Sequence, residues 1–153
     1  MSLDAESRGF VDIGELKEFT GHAKRISIKN RQVAIWIHNG EVFAIDANCY
    51  HSAGALEHHT EDIEDVLGHP CIRCPQHKYI ISLKTGESFY QSVKVDKDET
   101  TGARKIVPTG WKSKGIMQRT HETLVVNGRV YVKVDCFQGE IPSDKYAYLN
   151  IRR

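Results

Sequence analysis

The 153 residues suffice for one domain with a core of ordinary size, and the 40% hydrophobic and 27% charged content is that of a globular chain. With 21 Lys and Arg against 20 Asp and Glu the net charge is +1, so the charge balance gives no reason to expect nucleic acid or an anionic membrane surface as partner. No apolar run is long enough to span a bilayer, which argues against a membrane role.

Residues 1–9 are polar, lack the apolar stretch of a signal peptide and read as a flexible N-terminus. Residues 12–19 suit one short helical turn. Arg25-Ile26-Ser27-Ile28 alternates as a strand does, and Gln32-Val33-Ala34-Ile35-Trp36-Ile37 is β-branched and aromatic. His38-Asn39-Gly40-Glu41 then supplies a turn before Val42-Phe43-Ala44-Ile45, a strong hairpin signal because Asn and Gly tolerate positive φ. The acidic stretch 57–67 suits helix or loop. Tyr79-Ile80-Ile81-Ser82-Leu83 leads into the turn Lys84-Thr85-Gly86-Glu87. Residues 95–119 are polar and punctuated by Gly102, Pro108, Gly110 and Gly115, which predicts an exposed insertion between strands. Thr123-Leu124-Val125-Val126, Asn127-Gly128 and Val130-Tyr131-Val132-Lys133-Val134 form a second hairpin signal. The last residues, 136–153, read as an extension packed through Tyr146, Tyr148 and Leu149. Short β runs with turn residues between them and little helix predict an all-β, antiparallel sandwich or barrel.

Two short motifs carry the chemistry. Cys49-Tyr50-His51 follows the strand ending near Ile45, and Cys74-Pro75-Gln76-His77 precedes the strand beginning near Tyr79. Each sits at a strand end, where a loop is held by a rigid scaffold. Two thiolates and two imidazoles suit zinc or a [2Fe–2S] cluster of mixed ligation. Zinc sites usually pair Cys with Cys and His with His along the chain. One Cys and one His in each loop favours two irons, with Cys49 and Cys74 on one and His51 and His77 on the other, although a zinc-stabilised binding module stays open on these residues alone. Cys71 makes Cys71-Ile72-Arg73-Cys74 a Cys-x-x-Cys, but the helix N-terminus and βαβ setting of a thioredoxin are absent, so Cys71 reads as a core thiol. Cys136 reads as a plain thiol. His58-His59 with Glu57, Glu61 and Asp62 reads as solvated loop or an acidic docking edge. His22, His38, His69 and His121 have no partner at ligand spacing and read as surface or turn residues.

Cys49-x-His51, a gap of 22 residues and Cys74-x-x-His77 resemble the Rieske signature. The residues from Val42 to Cys49, together with Leu56, Pro75, the run from Ser82 to Glu87 and the closing hairpin, resemble the family pattern as well. The resemblance implies a Rieske domain over 10–135, a β-sandwich of three antiparallel sheets whose cluster-binding subdomain has two loops, 46–56 and 71–79. It implies one [2Fe–2S] cluster on Cys49, His51, Cys74 and His77, with both histidines at the surface. The function implied is that of a soluble ferredoxin, an electron carrier without its own substrate site. Its expected donor is a flavoprotein reductase and its expected acceptor an oxygenase or other redox enzyme. The alternative role is the small subunit of a larger reductase. A cytoplasmic setting is expected, since four cysteines without a secretory signal suit a reducing compartment.

The chain also departs from the family. Lys78 stands where Gly usually follows the second His, so the backbone there is expected to run differently, and after His51 the Gly comes at position 54, one residue later than in many relatives. The positions near Gly54 and Gln76 lack the paired cysteines of membrane-complex relatives. Tyr79 stands near the place of a Ser that donates to a bridging sulfide in high-potential relatives. Fewer donors imply a potential low in the Rieske range, about −150 to 0 mV.

Overall fold

The computed structural model describes residues 2–19, 23–59, 63–134 and 139–150. The first residues, expected to be flexible, form a short helix, α1 (Ser2–Ser7). Ala5 anchors it, buried with Phe10 and Tyr131. β1 (Val11–Glu15) and a 3₁₀ turn at Leu16–Phe19 follow.

β2 (Lys24–Ile28), β3 (Arg31–His38) and β4 (Glu41–Asp46) form an antiparallel meander. Asn39 and Gly40 have φ of 52° and 78°, the paired positive values of a tight turn whose twist matches the strands it joins. The late hairpin repeats the device. β10 (Thr120–Val126) and β11 (Arg129–Lys133) are joined by Asn127 and Gly128, at φ 51° and 76°. β11 pairs with β1, and β10 reaches β4 through only Thr120↔Ile45 and His121↔Ala44. That two-residue bridge merges two ladders into one six-stranded sheet, ordered β1-β11-β10-β4-β3-β2. The second sheet, β5 to β9, has five strands, so two sheets stand where the family resemblance implied three. Every pairing is antiparallel.

β3 and β4 are buried on both faces. Val33, Ile35, Val42 and Ala44 line one core with Phe19, Ile28, Val130 and Val132. Ala34, Trp36, Phe43 and Ile45 face the other way, into a second core with Leu56, Ile72, Ile81 and Leu83. This is why these strands read as continuous apolar runs and not as strict alternation.

In the second sheet, β5 (Glu64–Val66) and β6 (His69–Arg73) pair across the segment between the two motifs, where helix or loop was expected. β7 (Ile80–Ser82) pairs with β8 (Glu87–Lys97) only at Ile80↔Phe89 and Ile81↔Ser88. β9 (Arg104–Ile116) pairs with β8 along its whole length. The segment 95–119, expected as an exposed insertion between strands, is largely exposed but mostly forms part of a two-stranded ribbon. From Tyr90 outward β8 has β9 as its sole strand neighbour among the described residues. β7 starts beside the second motif and runs away from it. β8 runs back, so the outer ribbon, 90–97 with 104–112, projects past the end of the sheet where that motif lies. Eight strand residues reach roughly 25 Å.

Candidate metal centre

The two motif loops have the same backbone design. In the first, the N–H of Cys49 donates to the carbonyl of Gly54 at 2.8 Å, and that of Ala53 donates back to Cys49 at 2.8 Å. In the second, Cys74 donates to Tyr79 and Lys78 donates back to Cys74, again both at 2.8 Å. In each loop the residue four after the cysteine is left-handed, with φ of 62° at Ala53 and 61° at Lys78. The expectation that Lys78 would send the backbone another way is thus corrected. The chain keeps a conformation that suits glycine without having glycine, at a cost of about 1 kcal/mol per position.

These turns bring the four motif residues together in two pairs. Cys49 and Cys74 are fully buried in the second core, beside each other. The neighbouring Cys74 thiol, aided by burial, raises the pKa of Cys49. The Cys49 thiol in turn lowers that of Cys74 to about 6, against burial and helped by the backbone of His77 and Gln76. The N–H groups of His51 and Ser52 serve the Cys49 sulfur in the same way. His51 and His77 are exposed, and their rings meet edge to face with centroids 4.8 Å apart. Tyr79 packs on His51 at 4.6 Å. Ser52 Oγ lies 3.1 Å from His77 Nδ1.

Among the described residues no three His, Cys, Asp or Glu side chains gather at the spacing of a single ion. A group that takes two thiolates on one side and two imidazoles on the other fits this donor set. The space beside the sulfur agrees. A Cβ on Gly54 would stand 2.7 Å from Cys74 Sγ, so this position must carry no side chain.

The support around the first loop was not anticipated from sequence. Gln118, fully buried, accepts a bond from the Tyr50 N–H at 2.9 Å. Its amide donates to the carbonyls of Asp46 and Asn48 at 2.8 and 2.7 Å. Gly86, at φ 79°, packs so closely on the Gln118 backbone that a Cβ would collide with its carbonyl. Tyr50 and Ser88 share a hydroxyl bond at 2.7 Å.

A second clamp lies behind the loop. Asp46, fully buried, receives Arg31 at 2.8 and 2.7 Å, His121 at 2.8 Å and Ser143 at 2.6 Å. Burial alone would raise the Asp46 pKa, but the bonds from His121 and Arg31 outweigh it and hold the carboxyl below its ordinary range. Arg119 and Arg31 both bind Asp144, which is held well below the carboxylate range chiefly by the Arg119 bond. Asn48, next to Cys49, donates to the carbonyls of Tyr146 and Leu149, both at 2.8 Å. The C-terminal 3₁₀ turn, Pro142–Tyr146, is thus a strap over the first loop. It is held by Ser143, Asp144 and backbone carbonyls, while Tyr148 and Leu149, expected to pack, are exposed.

The remaining expectations separate. Cys71 is buried on the other face of β6, with Val66, Ile80 and Phe89, where burial pushes its thiol up to about 12. His121 is corrected from surface to core by its bond to Asp46. His58 is exposed beside Glu57, whereas His59 turns inward to the Arg73 backbone at 3.2 Å, so the two do not share a site. Glu57 is taken by Arg25 at 2.8 and 3.0 Å. His69 bonds Ser82 at 2.9 Å, and His38 lies at its hairpin turn. Cys136, His22, Glu61 and Asp62 lie outside the described residues.

Comparison with known proteins places these features in context. The family model for soluble Rieske-type ferredoxins matches residues 11–136. A Rieske domain-containing protein of Homo sapiens is 46% identical over 120 residues, 78% of this chain and 71% of its own. Among solved structures, the small subunit of a nitrite reductase (NADPH) is 17% identical with a TM-score of 0.56, covering 82% of this chain and 98% of its own. The ferredoxin of carbazole 1,9a-dioxygenase from Nocardioides aromaticivorans IC177 is 17% identical with a TM-score of 0.53, covering 81% and 96%.

Proposed function

Since the chain belongs to the soluble Rieske-type ferredoxin family and is an electron carrier rather than an enzyme, we propose that Cys49, His51, Cys74 and His77 together hold one [2Fe–2S] cluster. The observation that carries this reading is the sorting of the four side chains into a buried thiol pair and an exposed imidazole pair. When bound, such a cluster supplies a single reversible one-electron site. The buried cysteines hold their side of it away from water. His51 and His77 form the edge at which a partner approaches closely. Gln118 and Gly54 fix the loop positions that this division requires.

The acceptor is an oxygenase or another oxidoreductase, a reading supported by the fold shared with a dioxygenase ferredoxin and a reductase small subunit, and the donor we propose is a flavoprotein reductase. The deciding experiment is low-temperature EPR and absorption of protein purified without oxygen, before and after dithionite, with iron, sulfide and zinc analysis. Two irons per chain and a reduced signal with average g below that of all-cysteine clusters are expected. Colourless protein with one zinc per chain would refute the reading. Native mass then separates a free carrier from a subunit held in a larger reductase.

A further inference from the structure

The two faces of the projecting ribbon differ. Side chains alternate along each strand, and cross-strand partners share a face. Val93 pairs with Pro108 and Val95 with Ile106, so one face is an exposed apolar strip, which ends at the tip in the pair Lys97 and Arg104. The other face carries Tyr90 with Lys112 and, beyond the register shift after Ser92, Lys94 with Val107 and Asp96 with Lys105. Lys114 lies on this second face, because its ammonium sits 6.0 Å over the Tyr90 ring and 4.4 Å over Tyr79. Tyr79 in turn packs on His51.

Lys94, Lys105, Lys112 and Lys114 are all exposed, against one carboxylate, Asp96, which lies 3.8 Å from Lys94. On this face β9 contributes Lys105, Lys112 and Lys114 and no acidic residue, while Asp98 and Glu99 lie beyond it in the turn at the tip. In a chain of net charge +1 this is a local concentration of positive charge. It falls in two groups on one face, Lys112 and Lys114 near Tyr79 and the imidazole edge, and Lys94 and Lys105 farther out along the arm.

We propose that this basic ribbon face is a docking arm for a redox protein with an acidic surface, which it guides onto the His51–His77 edge. The inference rests on the carrier reading above and adds the arm and the charge of its partner. Clustered charge beside a reactive edge raises encounter rates by 10- to 1,000-fold and makes them fall with salt.

The test uses holo-protein and flavodoxin, a small acidic flavoprotein, as probe. In ¹⁵N-labelled protein, oxidised flavodoxin should shift amides in 92–97 and 104–110, and cytochrome c, a basic haem protein, should not. Reduction of the holo-protein by flavodoxin hydroquinone should slow with added salt. Lys94→Glu with Lys105→Glu should lower that rate about tenfold at low ionic strength and abolish its salt dependence. The milder Lys94→Gln with Lys105→Gln should give an intermediate loss, and the amide spectrum verifies the fold of both. Iron content and oxidation of the reduced protein by uncharged benzoquinone should not change.

Unchanged salt dependence in the Glu variant would overturn the docking arm. So would amide shifts confined to other surfaces, or arm shifts given by phosphatidylserine vesicles and not by flavodoxin. Failure of benzoquinone to oxidise the protein would strike the carrier reading instead, while the amide shifts would still decide the arm.

Discussion

Replacing Gln118 by Met keeps the volume of a fully buried side chain and removes three hydrogen bonds. The Tyr50 N–H loses its acceptor, and an orphaned buried donor costs about 1–3 kcal/mol. The carbonyls of Asp46 and Asn48 each lose one donor, at roughly 1 kcal/mol apiece. The sum is about 3–5 kcal/mol, which for a domain of this size lowers Tm by roughly 6–20 °C. All three partners flank Cys49, so iron and sulfide content should fall along with stability. Gln118→Glu sharpens the point. It keeps the acceptor for Tyr50 but turns a carboxylate toward two carbonyl oxygens, and it should be worse than Met at neutral pH and recover partly in acid. Thermal melts with iron and sulfide analysis of the purified variants read both effects. A Met variant that melts like the parent and carries a full iron complement would refute the assignment of Gln118 as the brace of the first loop.

Other expectations are as direct. Ala53→Gly and Lys78→Gly relieve left-handed backbone and should each stabilise the protein by about 0.5–1 kcal/mol without loss of iron, as read by denaturant midpoints. Cys49→Ser or Cys74→Ser should abolish bound iron, whereas Cys71→Ser should retain it and lose only stability, since Cys71 faces the other core; metal analysis of the three variants separates these outcomes. Asp46 and Asp144 have depressed pKa values in the fold, so their contribution is complete above the unfolded value near 3.9 and is lost as pH falls below it. Urea midpoints should therefore drop on acidification below about pH 4, and Asp144→Asn should flatten that drop.

The legible parts of this chain were local. Both Asn-Gly hairpins announced themselves because two adjacent positive φ values demand those residues. The cysteine and histidine spacing pointed to a divided ligand set without any knowledge of where the loops would meet. What escaped depends on distance or on unusual exposure. The apolar alternation of the ribbon is short and its apolar face meets solvent, and its Gly and Pro residues imitate a loop. Gln118 acts on residues about 70 positions earlier, and nothing beside it in sequence marks it. His121 resembles any polar strand residue until Asp46 and Arg31 are placed next to it. Lys78 misled for another reason, since a conformation that favours glycine is adopted there without it.

The two-sided hairpin of β3 and β4 has a dynamic consequence. A partition that serves two cores cannot loosen on one side alone, because each of its strands contributes alternate residues to both. Opening motions of the loops that hold Cys49 and Cys74 should therefore stop at this partition. Amides of β3 and β4 should exchange with solvent only through whole-molecule unfolding, while those of the outer ribbon exchange through small fluctuations. The outer ribbon is free to flex while the partition keeps the thiol pair in place.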